Sequence, residues 1–320
     1  MCLSFFRQQN KNSPSKTTGS EKISILVAGA SGKMGSLIVK YALERPELLV
    51  NILVRDPTKH QQLTKAVEKA GGKVFKGGVT EPEILAQATK NIHTVISATF
   101  AFEESVTVDG QINLLNASIK NGVRRFVPSD FGVNYTNFTR EELGRTAIVA
   151  PKIKFSDYLE KPSVKSSIKT LHFYQGSIIE TFFELMAHGF GYWGEDNFKL
   201  NFTSYDNIAR AVAAGVARPN LTGTIVFIGE SLSYKEVAEV YNKVRGTNIQ
   251  PKQNGPVEVL KGIYEDNRKR GEFLAEIFGL SLLLSDKRCT FEKNDNSVLP
   301  EVKAFSFAEF LKLNPNLKLA

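Results

Sequence analysis

Three glycines near the start of the chain carry the clearest chemical signal in the sequence. Gly29, Gly32 and Gly35 follow a short apolar run and open a segment with helical periodicity. At such a turn the first glycine permits a tight bend, the second leaves room for a pyrophosphate, and the third lets the helix pack close to the strand. The helix N-terminus adds unpaired N–H groups and a positive dipole end. The pattern therefore predicts a dinucleotide-binding turn.

We assign the binding role to the whole turn. The Gly-x-x-Gly-x-x-Gly spacing is usual in the short-chain dehydrogenase class, and its place after the first predicted strand favours a nucleotide. Three turn glycines without a ligand are the alternative interpretation. The residues of the predicted phosphate-binding turn are Gly29, Ala30, Ser31, Gly32, Lys33, Met34 and Gly35.

A basic residue stands where a dinucleotide's ribose is recognised. The second predicted strand is followed by Arg55 and Asp56, about twenty residues after the last glycine. An acidic residue at this point binds the ribose 2′-OH of NAD, whereas an arginine accommodates the 2′-phosphate of NADP. Lys33 and Lys59 can add positive charge. We therefore expect NADP(H) rather than NAD(H), with a solvent-exposed arginine at a strand end as the alternative.

Short apolar runs alternate with helical periods through the first half of the chain. Such a pattern predicts a parallel sheet covered on both faces, with right-handed crossovers. We predict an α/β fold, a Rossmann-type doubly wound parallel sheet with a smaller C-terminal substrate-binding lobe. The predicted strands are 23–28, 50–54, 73–75, 94–98 and 125–127, and the predicted helices are 34–43, 61–70, 81–89 and 108–121.

The second half is less regular and contributes fewer and shorter strands. We expect a flexible tail over 1–21, an NADP(H)-binding Rossmann domain over 22–175, and a substrate-binding lobe over 176–320 whose segments interleave with that domain. Pro162 is expected to end the first helix of this half, and Ser233 is a plausible N-cap of the last. The predicted helices are 152–160, 178–188, 205–217 and 234–244, and the predicted strands are 170–174 and 224–228.

The loop after the fourth predicted strand reaches the carboxyl end of the sheet, where ligands of doubly wound folds bind. We assign Ser97, Ala98 and Thr99 to packing against the ribose and nicotinamide, with an ordinary strand-end turn as the alternative. Phe131 is a candidate for contact with the nicotinamide ring and equally a candidate for the core.

Three aromatic residues occur in a glycine-rich stretch of the second half. Phe190, Tyr192 and Trp193 could form a mobile flap over an apolar substrate. They could equally be packing residues of the second lobe. Neither interpretation identifies the substrate.

Composition narrows the possible functions. The 320 residues include 41 basic and 33 acidic side chains, a net charge of +8, but no basic run is interleaved with aromatics. No nucleic-acid partner is therefore expected. Two cysteines and four scattered histidines suggest neither a disulfide framework nor a metal site. No apolar stretch has the roughly 20 residues needed to cross a bilayer. A cytoplasmic protein is expected.

Several segments together resemble the NmrA-like family of atypical short-chain dehydrogenases, which includes the isoflavone reductase-like proteins of plants. The most specific is Arg125-Phe-Val-Pro-Ser-Asp-Phe-Gly132. The turn Val27-Ala-Gly-Ala-Ser-Gly-Lys-Met-Gly35 and Leu53-Val-Arg55 add to it, and the resemblance covers roughly 22–313. It implies a Rossmann domain, a small C-terminal lobe, NADPH as cofactor, and either reductase activity or a cofactor-sensing role.

The resemblance also implies a catalytic lysine. Family reductases lack the tyrosine of ordinary short-chain dehydrogenases and use a lysine about twenty residues after the Pro-Ser-Glu-Phe-Gly segment. No Tyr-x-x-x-Lys occurs here, and Lys152 lies twenty residues after Gly132, with Lys154 as the neighbouring alternative. One departure is Gly77-Gly78 in place of the family's usual Gly-Asp, which leaves the adenine-side contact open.

Two functions from different classes remain open. The first is an NADPH-dependent reductase of small aromatic or conjugated carbonyl compounds, in which Lys152 assists hydride transfer. The second is a non-catalytic NADP(H) sensor that binds a regulatory protein. An epimerase of the extended class is disfavoured because Tyr-x-x-x-Lys is missing.

Overall fold

The computed structural model describes residues 22–101, 103–133, 135, 149–271 and 274–319. The predicted tail, residues 1–21, lies outside this part. The strands are β1 (Ile23–Ala28), β2 (Leu48–Val54), β3 (Val74–Lys76), β4 (Thr94–Ser97), β5 (Arg125–Val127), β6 (Lys169–Tyr174), β7 (Ser177–Ile178), β8 (Gly191–Trp193), β9 (Leu200–Thr203), β10 (Gly223–Val226), β11 (Glu230–Leu232) and β12 (Lys252–Gly255). The α-helices are α1 (Lys33–Leu43), α2 (Gln61–Lys69), α3 (Pro82–Ala88), α4 (Gly110–Lys120), α5 (Ala150–Leu159), α6 (Pro162–Lys165), α7 (Ile179–Leu185), α8 (Tyr205–Val216), α9 (Tyr234–Arg245), α10 (Val257–Lys269), α11 (Leu274–Leu284) and α12 (Phe307–Leu313).

Seven strands form one parallel sheet in the order β10-β6-β5-β4-β1-β2-β3. This order confirms the predicted doubly wound parallel sheet. The direction of winding reverses between β1 and β4, and ligands of such folds bind beyond the carboxyl ends of the strands at this point. The turn after β1 and the loop after β4 therefore meet where a dinucleotide is expected.

Alternate residues of β1 serve opposite faces of the sheet. Ile25 and Val27 pack in a core with α1 and α8, whereas Leu26 and Ala28 pack in a core with α3, α4 and α5. Because both faces are buried, the strand appears in the sequence as a continuous apolar run rather than an alternating one.

A smaller lobe is built on the chain after β6. It holds a three-stranded sheet in the order β11-β9-β7 and the pair β12-β8. About half of its buried core residues are aromatic. Strand β10 returns from this part of the chain to the edge of the main sheet. The aromatic members of that core are Phe182, Phe183, Phe190, Phe202, Tyr234, Tyr241, Phe307 and Phe310.

Several element boundaries differ from the prediction for local reasons. Pro162 occupies the first turn of α6, where its missing N–H leaves no intrahelical bond unmade. The predicted helix 178–188 is α7 followed by a 3₁₀ turn, Met186–His188. The predicted cap is present: Ser233 accepts the N–H of Glu236 in a reciprocal capping box at the start of α9. In the described segments, no helix combines the length and the apolar composition needed to span a membrane.

Candidate active site

The glycine turn after β1 has the geometry that its sequence demands. Gly29 has a φ of +77°, and the N–H of Gly32 donates to its carbonyl oxygen over 3.0 Å. A Cβ on Gly29 would lie 2.5 Å from the carbonyl oxygen of Ala98, and one on Gly35 would overlap the carbonyl of Gly29. Gly32 is the N-cap of α1 and places no side chain over the first turn. Backbone can therefore approach a phosphate closely here.

A large cleft of about 780 Å³ opens on this turn. Gly29, Ser31, Gly32, Lys33 and Met34 line it, whereas Ala30 and Gly35 lie behind the turn and support it. The Lys33 Nζ lies 3.1 Å from a carboxylate oxygen of Glu184 on α7 and 4.7 Å from the ring centroid of Tyr205. Lys33 therefore joins the glycine turn to the second lobe across the cleft.

The basic residue after β2 faces the cleft and its acidic neighbour does not. Arg55 is exposed and lines the cleft. Asp56 instead caps the 3₁₀ turn Pro57–His60, because its Oδ1 accepts the N–H of Thr58 over 3.1 Å and the hydroxyl over 2.6 Å. Its other oxygen lies 3.7 Å from the Nζ of Lys59, which lies outside the cleft lining and is 78% exposed.

Further residues line the cleft that were not assigned to it from the sequence, although Gly77-Gly78 was noted there as a departure from the family pattern. His60 ends the 3₁₀ turn beside Arg55, and Gly77, Gly78, Val79 and Thr80 follow β3. A histidine at a turn carries no signal by residue type. Only the assembly of neighbouring strand ends reveals them.

Of the three residues predicted at the end of β4, two line the cleft and one lies behind it. Ala98 and Thr99 line the cleft. Ser97 is fully buried, and its hydroxyl lies 3.0 Å from Oγ1 of Thr99. Phe131 also lines the cleft, with a positive φ of 25° and partial packing against the main core. A bulky side chain rarely adopts this backbone conformation, so the chain is locally strained beside the cleft.

Lys152 lies on the first turn of α5 and reaches the cleft. Its Nζ donates to the carbonyl oxygens of Ser129, over 2.6 Å, and Asp130, over 2.5 Å. Lys154 points elsewhere: its Nζ lies 2.5 Å from a carboxylate oxygen of the exposed Glu104, outside the cleft lining. Residues two positions apart on an α-helix, such as these lysines, are separated by about 200° of rotation. The structure therefore brings Lys152, and not Lys154, to the cleft.

A buried carboxylate stands next to Lys152. The Asp130 side chain is 7% exposed, and its Oδ2 lies 2.7 Å from Nδ1 of His172. The hydroxyl of Tyr135, which also lines the cleft, donates to Oδ1. Burial lowers the pKa of Lys152 to about 8, and the charge of Asp130 opposes that effect. Sequence reasoning did not select Tyr135 or His172.

The far end of the cleft is apolar. In the part of the chain that the structure describes, the ionisable side chains lining the whole cleft, tyrosines aside, are Lys33, Arg55, His60 and Lys152, with no aspartate or glutamate among them. The apolar wall comes from Val133 and Val149 and from β7, α7 and α11. Its main members are Val133, Val149, Ile178, Phe182, Leu185, Leu280, Leu283 and Leu284.

The glycine-spaced aromatic segment belongs to the second lobe's core. Phe190 is 4% exposed and meets the ring of Phe182 edge-on. Tyr192 packs against Tyr234 with ring centroids 5.3 Å apart, and Trp193 lies in β8, paired with β12. None of the three is among the residues that line the cleft. The packing interpretation therefore fits the structure, and the flap interpretation does not.

A Rossmann sheet, a glycine turn facing a cleft and a lysine in that cleft define a class of dinucleotide-binding proteins. The model of the NmrA-like family matches residues 21–305, and the chain belongs to that family. This confirms the resemblance seen in the sequence.

Comparison with individual proteins gives the same class. Bifunctional pinoresinol-lariciresinol reductase 2 of Thuja plicata is 23% identical over 301 residues, covering 88% of this chain and 96% of that protein. The structure of AtPrR2 with NADP+ and (+)pinoresinol has a TM-score of 0.75 at 19% identity, covering 92% and 99% of the two chains. The Citrobacter sp. triphenylmethane reductase complexed with NADP(H) has a TM-score of 0.68 at 15% identity, covering 91% and 99%. These structures share the fold of this chain.

Proposed function

We propose that this chain is an NADPH-dependent reductase that transfers hydride to a small, uncharged aromatic or conjugated carbonyl compound. The observation that carries the proposal is the position of Lys152 in the same cleft as the glycine turn and Arg55. Relatives named as reductases, and structural neighbours that hold NADP, support the same class.

The residues of the cleft fit NADP(H). Any side chain on Gly29 would overlap the loop at Ala98, and Gly32 leaves the N-terminus of α1 open, so this turn suits a pyrophosphate. Arg55 would bind the 2′-phosphate, because no carboxylate faces the cleft beside it in the described chain. Ala98, Thr99 and Phe131 are proposed to contact the ribose and nicotinamide.

Bound NADPH would supply the hydride. Lys152 would supply charge stabilisation at the substrate oxygen. Two of its three N–H bonds are directed to the carbonyls of Ser129 and Asp130, and one is left for the substrate. With a pKa of about 8 the amine is mainly charged at neutral pH but loses its proton more easily than an ordinary lysine. It can therefore stabilise a developing alkoxide or enolate and donate a proton to it.

The apolar end of the cleft supports an uncharged substrate. Burying a charged group against Phe182, Leu185 and Leu283 would cost several kcal/mol without a partner, on the order of the usual desolvation penalty. A flat aromatic or conjugated compound would bury its surface there while its oxygen meets Lys152. A cytoplasmic location remains a proposal based on the small number of cysteines.

The test is consumption of NADPH, followed at 340 nm, with a panel of enones and aromatic carbonyl compounds. We expect turnover with uncharged members of the panel and much less with carboxylated analogues of the same size. Tight NADPH binding without turnover of any compound would contradict the proposal and favour the cofactor sensor.

A further inference from the structure

We propose that Asp130 and His172 act as positioning residues for Lys152 by fixing the peptide that holds its amine and by keeping that amine protonated. The inference rests on the proposed reductase function. The inference adds two residues to that function, Asp130 in the 128–132 segment and His172 in β6. Neither needs to contact the substrate.

The carboxylate of Asp130 is held at both oxygens. Oδ2 accepts a hydrogen bond from Nδ1 of His172 over 2.7 Å, and Oδ1 accepts one from the hydroxyl of Tyr135. The main-chain carbonyls of Ser129 and of Asp130 itself then accept the two hydrogen bonds from Lys152. Asp130 therefore connects His172 to the amine of Lys152, because its side chain binds the first and its main chain the second.

Aromatic packing supports the two side chains, His172 and Tyr135, that bind the Asp130 carboxylate. The ring of His172 stacks on that of Tyr174, with centroids 6.5 Å apart and an interplanar angle of 5°. Tyr135 meets the same Tyr174 ring edge-on at 5.6 Å. The imidazole and the phenol that hold Asp130 are thus packed on one common ring, which limits their motion.

The groups around Asp130 and His172 favour an ionised Asp130 carboxylate. Burial raises the pKa of Asp130, but the hydrogen bonds and charge of His172, with Tyr135 and Lys152, lower it below its ordinary value. Burial lowers the pKa of His172, but Asp130 and, more distantly, Glu160 raise it. Within the described chain, Asp130 is the one charge that opposes the effect of burial on Lys152. Loss of that charge should therefore make Lys152 easier to deprotonate.

The first experiment is Asp130→Asn, with Asp130→Ser as a second variant that removes the charge with a smaller side chain. In the full-length protein, the rate should fall as pH rises through the pKa of Lys152. We expect this basic limb to move down by about one pH unit in both variants, the usual effect of a nearby charge. The dissociation constant for NADPH, measured by fluorescence titration, should stay within about twofold of that of the unmutated protein.

A second measurement does not need turnover. Reductive methylation requires a neutral amine, so its pH dependence, read residue by residue by mass spectrometry, reports the protonation of Lys152. The methylation profile of Lys152 should move to lower pH in the Asp130 variants. The matched control is Glu104→Gln. It removes the carboxylate that pairs with Lys154, which lies on the same helix as Lys152. It should leave the profile of Lys152 unchanged.

His172 is tested by a conservative pair. His172→Asn keeps an N–H donor near the position of Nδ1, whereas His172→Leu does not. We expect the Leu variant to lose about tenfold in turnover and the Asn variant to recover most of it, because a hydrogen bond to a buried carboxylate is restored.

The outcomes separate the two proposals. The assignment is supported if the pH–rate profile and the methylation profile of Lys152 both shift in the Asp130 variants and neither shifts in Glu104→Gln. An unshifted methylation profile of Lys152 in a variant that binds NADPH normally overturns it, and so does a shift equally large in Glu104→Gln. A shifted methylation profile without turnover of any carbonyl compound would support the role of Asp130 while contradicting the reductase.

Discussion

The two ends of the cleft are built in different ways. At the cofactor end, one continuous turn of seven residues, Gly29–Gly35, offers its backbone, and the constraint is the absence of side chains. At the substrate end, the side chains of Val133 and Val149 and those from α7 and α11 converge from positions up to about 150 residues apart. A phosphate is recognised by N–H groups that any sequence supplies, whereas an apolar compound is recognised by side-chain shape. Local sequence therefore specifies the first end and tertiary packing the second.

Lys152 lines the cleft that holds both ends, and its loss should have the largest effect. We expect Lys152→Ala to lower turnover by about 10²–10³, the usual result of removing one stabilising group. The affinity for NADPH should change little, because the glycine turn and Arg55 are untouched. Steady-state kinetics and fluorescence titration of NADPH measure the two quantities.

The control for that change is Lys154→Ala on the same helix. Its amine pairs with Glu104 at the surface, and surface pairs contribute little. Activity close to that of the unmutated protein is expected. If Lys154→Ala abolished turnover and Lys152→Ala did not, the assignment of the lysine would be wrong.

Arg55 should decide the choice of cofactor at the other end. We expect Arg55→Asp to remove the preference for NADPH over NADH, at a cost of about 1–3 kcal/mol in NADPH binding, as for a lost charge-assisted contact. Dissociation constants for both cofactors measure the change. Lys59→Ala, outside the cleft lining, is the control and should keep the preference. Equal affinities in the unmutated protein would contradict the role of Arg55.

The close packing of the turn on its own strand can be tested with glycine substitutions. Gly35→Ala should lower the free energy of unfolding by about 1–3 kcal/mol, because its Cβ would overlap the carbonyl of Gly29. Gly262→Ala is the control: it lies in α10, and a Cβ there meets nothing within 4 Å. It should stabilise by up to about 1 kcal/mol. Chemical denaturation measures the free energy of unfolding of both variants. Equal changes in Gly35→Ala and Gly262→Ala would contradict the packing argument.

The smallest effect is expected outside the cleft. A chain that begins at Lys22 should bind NADPH as tightly as the full sequence, because residues 1–21 are too polar to bury a core. A much weaker NADPH affinity of the shortened chain would show that this segment contributes to the site.

The fold and half of the site were accessible from the sequence. Continuous apolar runs at β1, β2 and β4 predicted the parallel sheet, because strands buried on both faces leave that pattern. The glycine turn followed from its spacing, and the place of Arg55 from the end of β2. These signals are local, so periodicity and motif suffice to find them.

The chain's sequence by itself therefore determined the family, the sheet and the turn on which a dinucleotide is expected to bind. It left open which of two lysines faces the cleft and whether the aromatic segment at 190–193 covers a substrate or fills a core. Tertiary structure decided both, because the amine of Lys152 donates to main-chain carbonyls beside the cleft and the rings of Phe182 and Tyr234 enclose Phe190. The pairing of Asp130 with His172 joins residues 42 positions apart. No local pattern records such a contact, since it exists only when β5 and β6 lie side by side.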